Sequence, residues 1–314
     1  MSEKPVLPDY LLLFGIGLLW GGQFVLNAVA VAQLPPITVA ASRILIGALT
    51  LSAVTCCIRE PRGKTATGRI APGYLYVAVA FFEAVLPMFL ITWGQQQVDS
   101  SVTAMLLGSV PILTLLLSVF MSRKSHFNRY SLLSVVLGFI GIIVLMHPAV
   151  GNHGNGSFIS EVAVFCGALS FACSINLMDF FPVGAPIRVV RNVLWLSAIP
   201  LAAASLALDR PWLLHWTAPG IGSVLVLGTV CSAAAYVMYA TLVQRSGPVF
   251  TSLSGFIVPL VGVILGIVLR GEPFGMREST ALALVIVALA VNELAPRFGS
   301  RRAMPPRPAP VHAD

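Results

Sequence analysis

The chain has 314 residues, 57% hydrophobic and only 10% charged, with a formal net charge of +7. A soluble domain carries about 25% charged residues, so this polar complement would not cover a water-exposed fold, and the mean hydropathy of +0.89 places the chain in lipid. The basic excess lies in short gaps between apolar runs and in a tail holding Arg297, Arg301, Arg302 and Arg307, which leaves no basic face for nucleic acid.

A helix that crosses the hydrocarbon needs about 20 predominantly apolar residues. After a polar N-terminus, residues 1–9, the first such run is Tyr10–Val31, and the absence of a small-residue cleavage site predicts a retained span. Four more follow at Ile37–Ile58, Gly73–Trp93, Ser101–Met121 and Tyr130–His147. A glycine-rich linker, residues 148–157, leads to Phe158–Met178, Val189–Leu208, Ile221–Val243, Phe250–Leu269 and Ser279–Leu294. The tail, 296–314, is rich in Pro and Arg and predicts disorder on the cytoplasmic side. The sequence thus predicts an all-α membrane protein of ten spans.

Lys and Arg in short loops mark the cytoplasmic face. With the N-terminus inside, 15 of the 19 basic residues fall on inner segments, among them Lys4, Arg59, Lys64, Arg123, Lys124 and Arg245. Arg210, Arg270 and Arg277 fall outside, and Arg43 lies within a span. Both termini are expected in the cytoplasm.

Polar groups inside apolar runs are costly, at about 2.5–3.5 kcal/mol for a charge near the bilayer centre, and so tend to face the bundle interior. Trp20, Gln23 and Asn27 follow spacings of three and four and share one face of the first helix; they suit either a small polar solute or interhelical amide contacts. Arg43 sits six residues into the second span and is placed to pair with Glu83, to meet a substrate carboxylate, or to extend to the interface. Glu83 is at the middle of the third span, where it would bind a cationic group or carry a coupling proton, or simply be hydrogen-bonded within the bundle. Pro87, one turn later, predicts a hinge or a bare bend. In the eighth span Ser232, Tyr236 and Tyr239 form a second polar stripe. Asn176, Asp179 and Asn192 are expected to cap helix ends, and the five cysteines to be buried. Gly17-xxx-Gly21 and Gly262-xxx-Gly266 permit close helix approach, within the chain or, for the second pair, between two copies.

The chain contains no phosphate-binding Gly-x-x-x-x-Gly-Lys-Ser/Thr loop, no Gly-x-Ser-x-Gly elbow and no histidine cluster of metal-ligand spacing. No catalytic group, metal or cofactor is therefore expected.

Shifted by 148 residues, Thr103 falls on Thr251 and Pro111 on Pro259. Five spans per half is odd, so the halves must insert with opposite orientation, as inverted repeats. Trp20-Gly21-Gly22-Gln23-Phe24, Ala41-Ser42-Arg43-Ile44-Leu45 and the stretch from Gly247-Pro248 through Pro259 to Gly271-Glu272-Pro273 resemble the EamA-like drug/metabolite transporter superfamily. The resemblance covers Tyr10 to Leu294 and departs at Arg123-Lys124, where the family has Gly-Glu. It implies two five-helix repeats, 10–147 and 158–295, around a central cavity, with alternating access and often a homodimer contact. It also makes Arg43 an interior structural or gating residue. The expected function is a secondary transporter that exports a small organic solute such as an amino acid or related metabolite or drug, with protons as coupling ion, in a bacterial inner membrane. The expected solute site comprises Trp20, Gln23, Asn27, Glu83, Ser232 and Tyr236, with Arg43, Glu83 and Pro87 in gating or coupling. The alternatives are an uncoupled facilitator, an intramembrane enzyme, and a membrane sensor or scaffold.

Overall fold

The structure, a computed structural model, describes residues 6–57, 71–121, 129–146, 155–178, 180–181, 186–246 and 248–299. Lys4, the basic segment 59–69, Arg123 and Lys124, Asp179, most of the 148–157 linker and the tail beyond 299 lie outside the described residues. Much of the predicted charge asymmetry lies there too.

Among the described residues all regular structure is helical. Lipid offers backbone groups no hydrogen bonds, so a spanning segment must close its own. The helices are α1 (Leu7–Val31), α2 (Pro36–Cys57), α3 (Gly73–Gly94), α4 (Ser100–Phe120), α5 (Arg129–Met146), α6 (Phe158–Met178), α7 (Ile187–Asp209), α8 (Ala218–Val243), α9 (Ser254–Arg270) and α10 (Met276–Gly299). Seven of them, α1–α4 and α6–α8, are long and apolar enough to cross a membrane; the apolar part of α5, Leu132–Met146, and α9 are shorter. Large apolar side chains such as Phe14, Ile143, Ile199 and Val268 point outward, as lipid rather than water requires. The cysteines correct the sequence expectation: only Cys231 is buried, whereas Cys56, Cys57 and Cys166 are exposed. On a lipid-facing surface a thiol incurs no polar mismatch, so burial is not needed.

The helices pair as α1 with α8 and α9, α6 with α3 and α4, α2 with α7 and α8, α7 with α3, α4 with α9, and α5 with α10. Small residues make the closest crossings. A Cβ on Gly17 would lie 2.3 Å from Ile257, one on Gly21 2.7 Å from Val261, and one on Gly262 2.4 Å from the Ala104 Cβ. Gly262 and Gly266 are therefore buried inside the chain, against α4, α1 and Glu272. The dimer contact considered for that pair is corrected: its surface is already occupied. Asn176, expected as a cap, is also buried and donates to the Thr114 carbonyl (3.1 Å), joining α6 to α4.

Two helix starts are capped by carboxylates distant in sequence. The first amides of a helix have no intrahelical acceptor, and a carboxylate there also meets the positive end of the helix dipole. Asp209 accepts from the Thr38 amide (2.9 Å) and hydroxyl (2.7 Å) at the start of α2. Glu272 accepts from the Ser100 and Ser101 amides (2.9 and 2.8 Å) and the Ser100 hydroxyl at the start of α4, and pairs with Arg270 at 3.3 Å. Gly266 makes the room, since a Cβ there would lie 2.4 Å from a Glu272 oxygen.

Burial by itself would raise the Glu272 pKa, but the hydrogen bonds from Ser100 and Ser101 outweigh it and hold the carboxyl below its ordinary value of 4.5. A group with a depressed folded-state pKa stabilises the fold above its unfolded value and loses that contribution as pH falls through the folded one. Thermal unfolding of purified protein is therefore expected to lose stability as pH drops below 4.5. Glu272→Gln should be destabilised near neutral pH by about 1–3 kcal/mol, and its deficit relative to wild type should shrink across that acid window. A constant deficit would contradict the cap.

Candidate functional site

Pro87 has no amide hydrogen, so α3 cannot keep its regular ladder around residue 83. The helix widens into a π turn over Phe81–Val85, in which the Leu86 amide reaches back to the Phe81 carbonyl. That shift frees the Phe82 carbonyl, which accepts the Ser170 hydroxyl of α6 at 2.8 Å. Glu83 lies at the centre of the widened turn. α8 repeats the device without a proline. It is π-helical over Leu227–Ala234, the Ala235 amide reaches the Val230 carbonyl, and the Cys231 carbonyl accepts the Trp20 indole at 3.2 Å. π insertions within α-helices occur frequently at functional sites.

The side chains these turns present meet one another. The Tyr236 hydroxyl donates to Glu83 Oε1 at 2.6 Å. Ser174 of α6 is fully buried beside the same carboxyl, its hydroxyl without an aligned partner. Arg43, 7% exposed, donates from Nε to Ser232 Oγ at 3.2 Å and from Nη2 to Gln23 Oε1. The Trp20 ring packs edge-on to Tyr236, with centroids 5.9 Å apart, and tilted against Tyr239 at 5.3 Å. Arg43 and Ser232 are buried, whereas Trp20, Gln23, Glu83 and Tyr236 are half-buried and keep accessible surface.

Six residues singled out from the sequence thus come together: Trp20, Gln23, Arg43, Glu83, Ser232 and Tyr236. Arg43 does not pair directly with Glu83; its guanidinium is held by Gln23 and Ser232, and the carboxyl by Tyr236. Pro87 is buried behind Glu83 and sets the turn. Asn27 lies elsewhere: it donates to Gln95 Oε1 at 2.6 Å, and Gln95 in turn donates to the Phe24 carbonyl, a buried contact between α1 and the end of α3. Sequence reasoning missed Ser170 and Ser174. Their spacing of four on one face of an apolar helix was the available signal.

The cluster offers a carboxyl, a guanidinium, an amide, a phenol and an indole within a lipid-embedded bundle. It has the means to hold a small polar solute.

The sequence model of the EamA-like transporter family matches residues 7–147 and 158–293. The chain is 25% identical to uncharacterized transporter YvbV of Bacillus subtilis (strain 168), over 93% of each chain. It is 24% identical to uncharacterized inner membrane transporter YedA of Escherichia coli (strain K12), over 94% of this chain and 93% of that one. A solved crystal structure covering 93% of this chain and 98% of its own superposes with a TM-score of 0.65 at 17% identity, a likeness of fold.

The Tyr236–Glu83 bond is testable by a double-mutant cycle on unfolding of the purified protein. Tyr236→Phe and Glu83→Gln are expected to be non-additive, with an interaction energy of about 0.5–3 kcal/mol. Additive losses would mean that the two groups do not interact.

Proposed function

We propose, for a chain that belongs to the EamA-like transporter family, that it is a secondary transporter exporting a small organic solute by alternating access. Its role as an integral membrane transporter, and not an enzyme, follows from the family and its relatives. The solute class we infer carries a cationic group for Glu83 and an anionic or carbonyl group for Arg43, as an amino acid or related metabolite does. The aromatic wall of Trp20 and Tyr236 suits its apolar part.

One observation carries this reading: the polar cluster is assembled from both halves of the chain. Arg43 reaches Ser232, Glu83 reaches Tyr236, and Trp20 reaches Cys231. A site built across two bodies couples occupancy to their relative position, which alternating access requires. The helix pairings support ten spans in two inverted repeats, 10–147 and 158–295. Exchanging each helix for the one five places along maps α1–α9 onto α6–α4, α1–α8 onto α6–α3, and α2–α8 onto α7–α3, and leaves α2–α7, α4–α9 and α5–α10 in place. Near the implied axis the contacts are reciprocal, with Gly108 against Pro259 and Gly255 against Pro111.

Glu83 is the group we assign to proton coupling, because it is the carboxyl in this cluster and its partner, Tyr236, comes from the other half. Export, cytoplasmic termini and a bacterial inner membrane complete the proposal, supported by the basic inner loops of the sequence and by the inner membrane relative.

Flux into proteoliposomes, across amino acids, nucleobases and organic cations and with or without a pH gradient, tests the reading. A saturable substrate whose movement is accelerated by the gradient is expected. Glu83→Gln should abolish that acceleration, and Arg43→Leu should lower transport at least about tenfold, equivalent to about 1.4 kcal/mol. Full activity in correctly inserted Arg43→Leu would defeat the assigned site, and gradient-independent transport would leave an uncoupled facilitator.

A further inference from the structure

The connection from α7 to α8 differs from the other described connections. The chain leaves α7 through Arg210 in a left-handed conformation (φ 49°, ψ 66°), the one non-glycine residue at positive φ among those described. A single 3-10 turn, Pro211–Leu213, follows, and then Trp216, whose indole donates to the Pro211 carbonyl at 3.0 Å. Trp212 is 66% exposed and Trp216 39%, and Arg210 and His215 are exposed beside them. Such backbone strain in a bulky residue persists only where its surroundings fix it. Here it turns a guanidinium outward at the level of two tryptophans, which favour the membrane–water boundary.

Directly below this turn is a groove of about 230 Å³ between the second and third turns of α2 and the start of α8, lined by Leu45, Ile46, Trp216, Val224 and Leu225 and apolar apart from Ser42. Its rim residues Ile221 and Leu225 are exposed, so it opens on the lipid-facing surface. At its deep end α8 closes tightly on α2: a Cβ on Gly228 would lie 2.6 Å from the Ile46 Cβ and 2.9 Å from the Arg43 carbonyl oxygen. The groove therefore ends against the backbone of Arg43, where the π turn of α8 begins.

Charge distinguishes the occupant. Arg270 and Arg277 each hold a carboxylate, Glu272 at 3.3 Å and Glu278 at 2.8 Å, whereas Arg210 has no ion pair among the described residues. We propose that this is a binding site for one anionic phospholipid, its phosphate on Arg210 between Trp212 and Trp216 and one acyl chain in the groove between α2 and α8. The guanidinium supplies two parallel donors matched to phosphate oxygens, and the groove gives a chain an apolar wall that a flat helix surface does not. The site adjoins the solute cluster only at the Arg43 backbone, shares none of its side chains and does not depend on what that cluster carries.

Native mass spectrometry of the delipidated full chain in detergent, titrated with phosphatidylglycerol and with phosphatidylcholine of the same acyl chains, tests this. Wild type is expected to bind one phosphatidylglycerol more tightly than phosphatidylcholine. Arg210→Gln should lose about fivefold in that affinity, Arg210→Lys should keep most of it, and Arg270→Gln, at a paired arginine, should leave it unchanged. Ser42→Leu, which narrows the groove, should weaken both lipids. Equal affinity for the two lipids, an unchanged Arg210→Gln, or displacement of the lipid by inorganic phosphate would overturn the proposal.

Discussion

Inside a bilayer no water is available to a carbonyl, guanidinium or carboxyl that loses its partner, so each must be answered by another group of the protein. This constraint shapes the centre of the molecule. When α3 and α8 widen into π turns, each frees a carbonyl, and each carbonyl is taken by a side chain from another helix: Phe82 by Ser170, Cys231 by Trp20. The same turns carry Glu83 and Ser232 into the bundle, with Tyr236 a turn beyond. Irregular backbone and polar side chains are thus one feature. The widening presents the groups, and the helices that answer the freed carbonyls hold the widening in place.

Because these answers come from across the chain, the polar centre also ties the halves together. Trp20, Gln23, Arg43 and Glu83 precede the linker, and Ser232, Tyr236 and the Cys231 carbonyl follow it. The carboxylate caps repeat the theme at the helix ends, where Asp209 and Glu272 of the second half close the starts of α2 and α4 in the first. Glycine crossings at Gly17, Gly21 and Gly262 bring α1, α9 and α4 close enough for these short side chains to reach. Close packing there also makes the interface discrete and not continuously deformable, as a rocking mechanism needs.

Much of this was legible in the sequence. Length and hydropathy located the seven helices that are long and apolar enough to cross a membrane, the cost of a mid-span charge pointed Glu83 into the bundle, and the family resemblance pointed Arg43 there as well. The stripe of Trp20, Gln23 and Asn27 was legible as a face but not as a site. Seven residues along a helix is about 10 Å, enough for Asn27 to meet Gln95 at the end of α3 while Trp20 meets α8. Pro87 announced the turn in α3. Nothing local announces the one in α8, where Leu227–Ala234 contains no proline and the irregularity is held by Trp20. The caps were likewise hidden, since Glu272 and Ser100 are joined only by tertiary folding. The exposed cysteines depart from the sequence expectation because burial is the rule for a thiol in water and not for one facing lipid.

Alternating access requires the polar cluster to be a solute path between two moving halves and not a sealed structural core. A single cysteine at Gln23, in a background lacking the five native ones, tests that in right-side-out and inverted vesicles with a membrane-impermeant thiol reagent. Labelling from both faces is expected, with the balance between them shifted by transported solute. Labelling from neither face, or from one face regardless of solute, would contradict it.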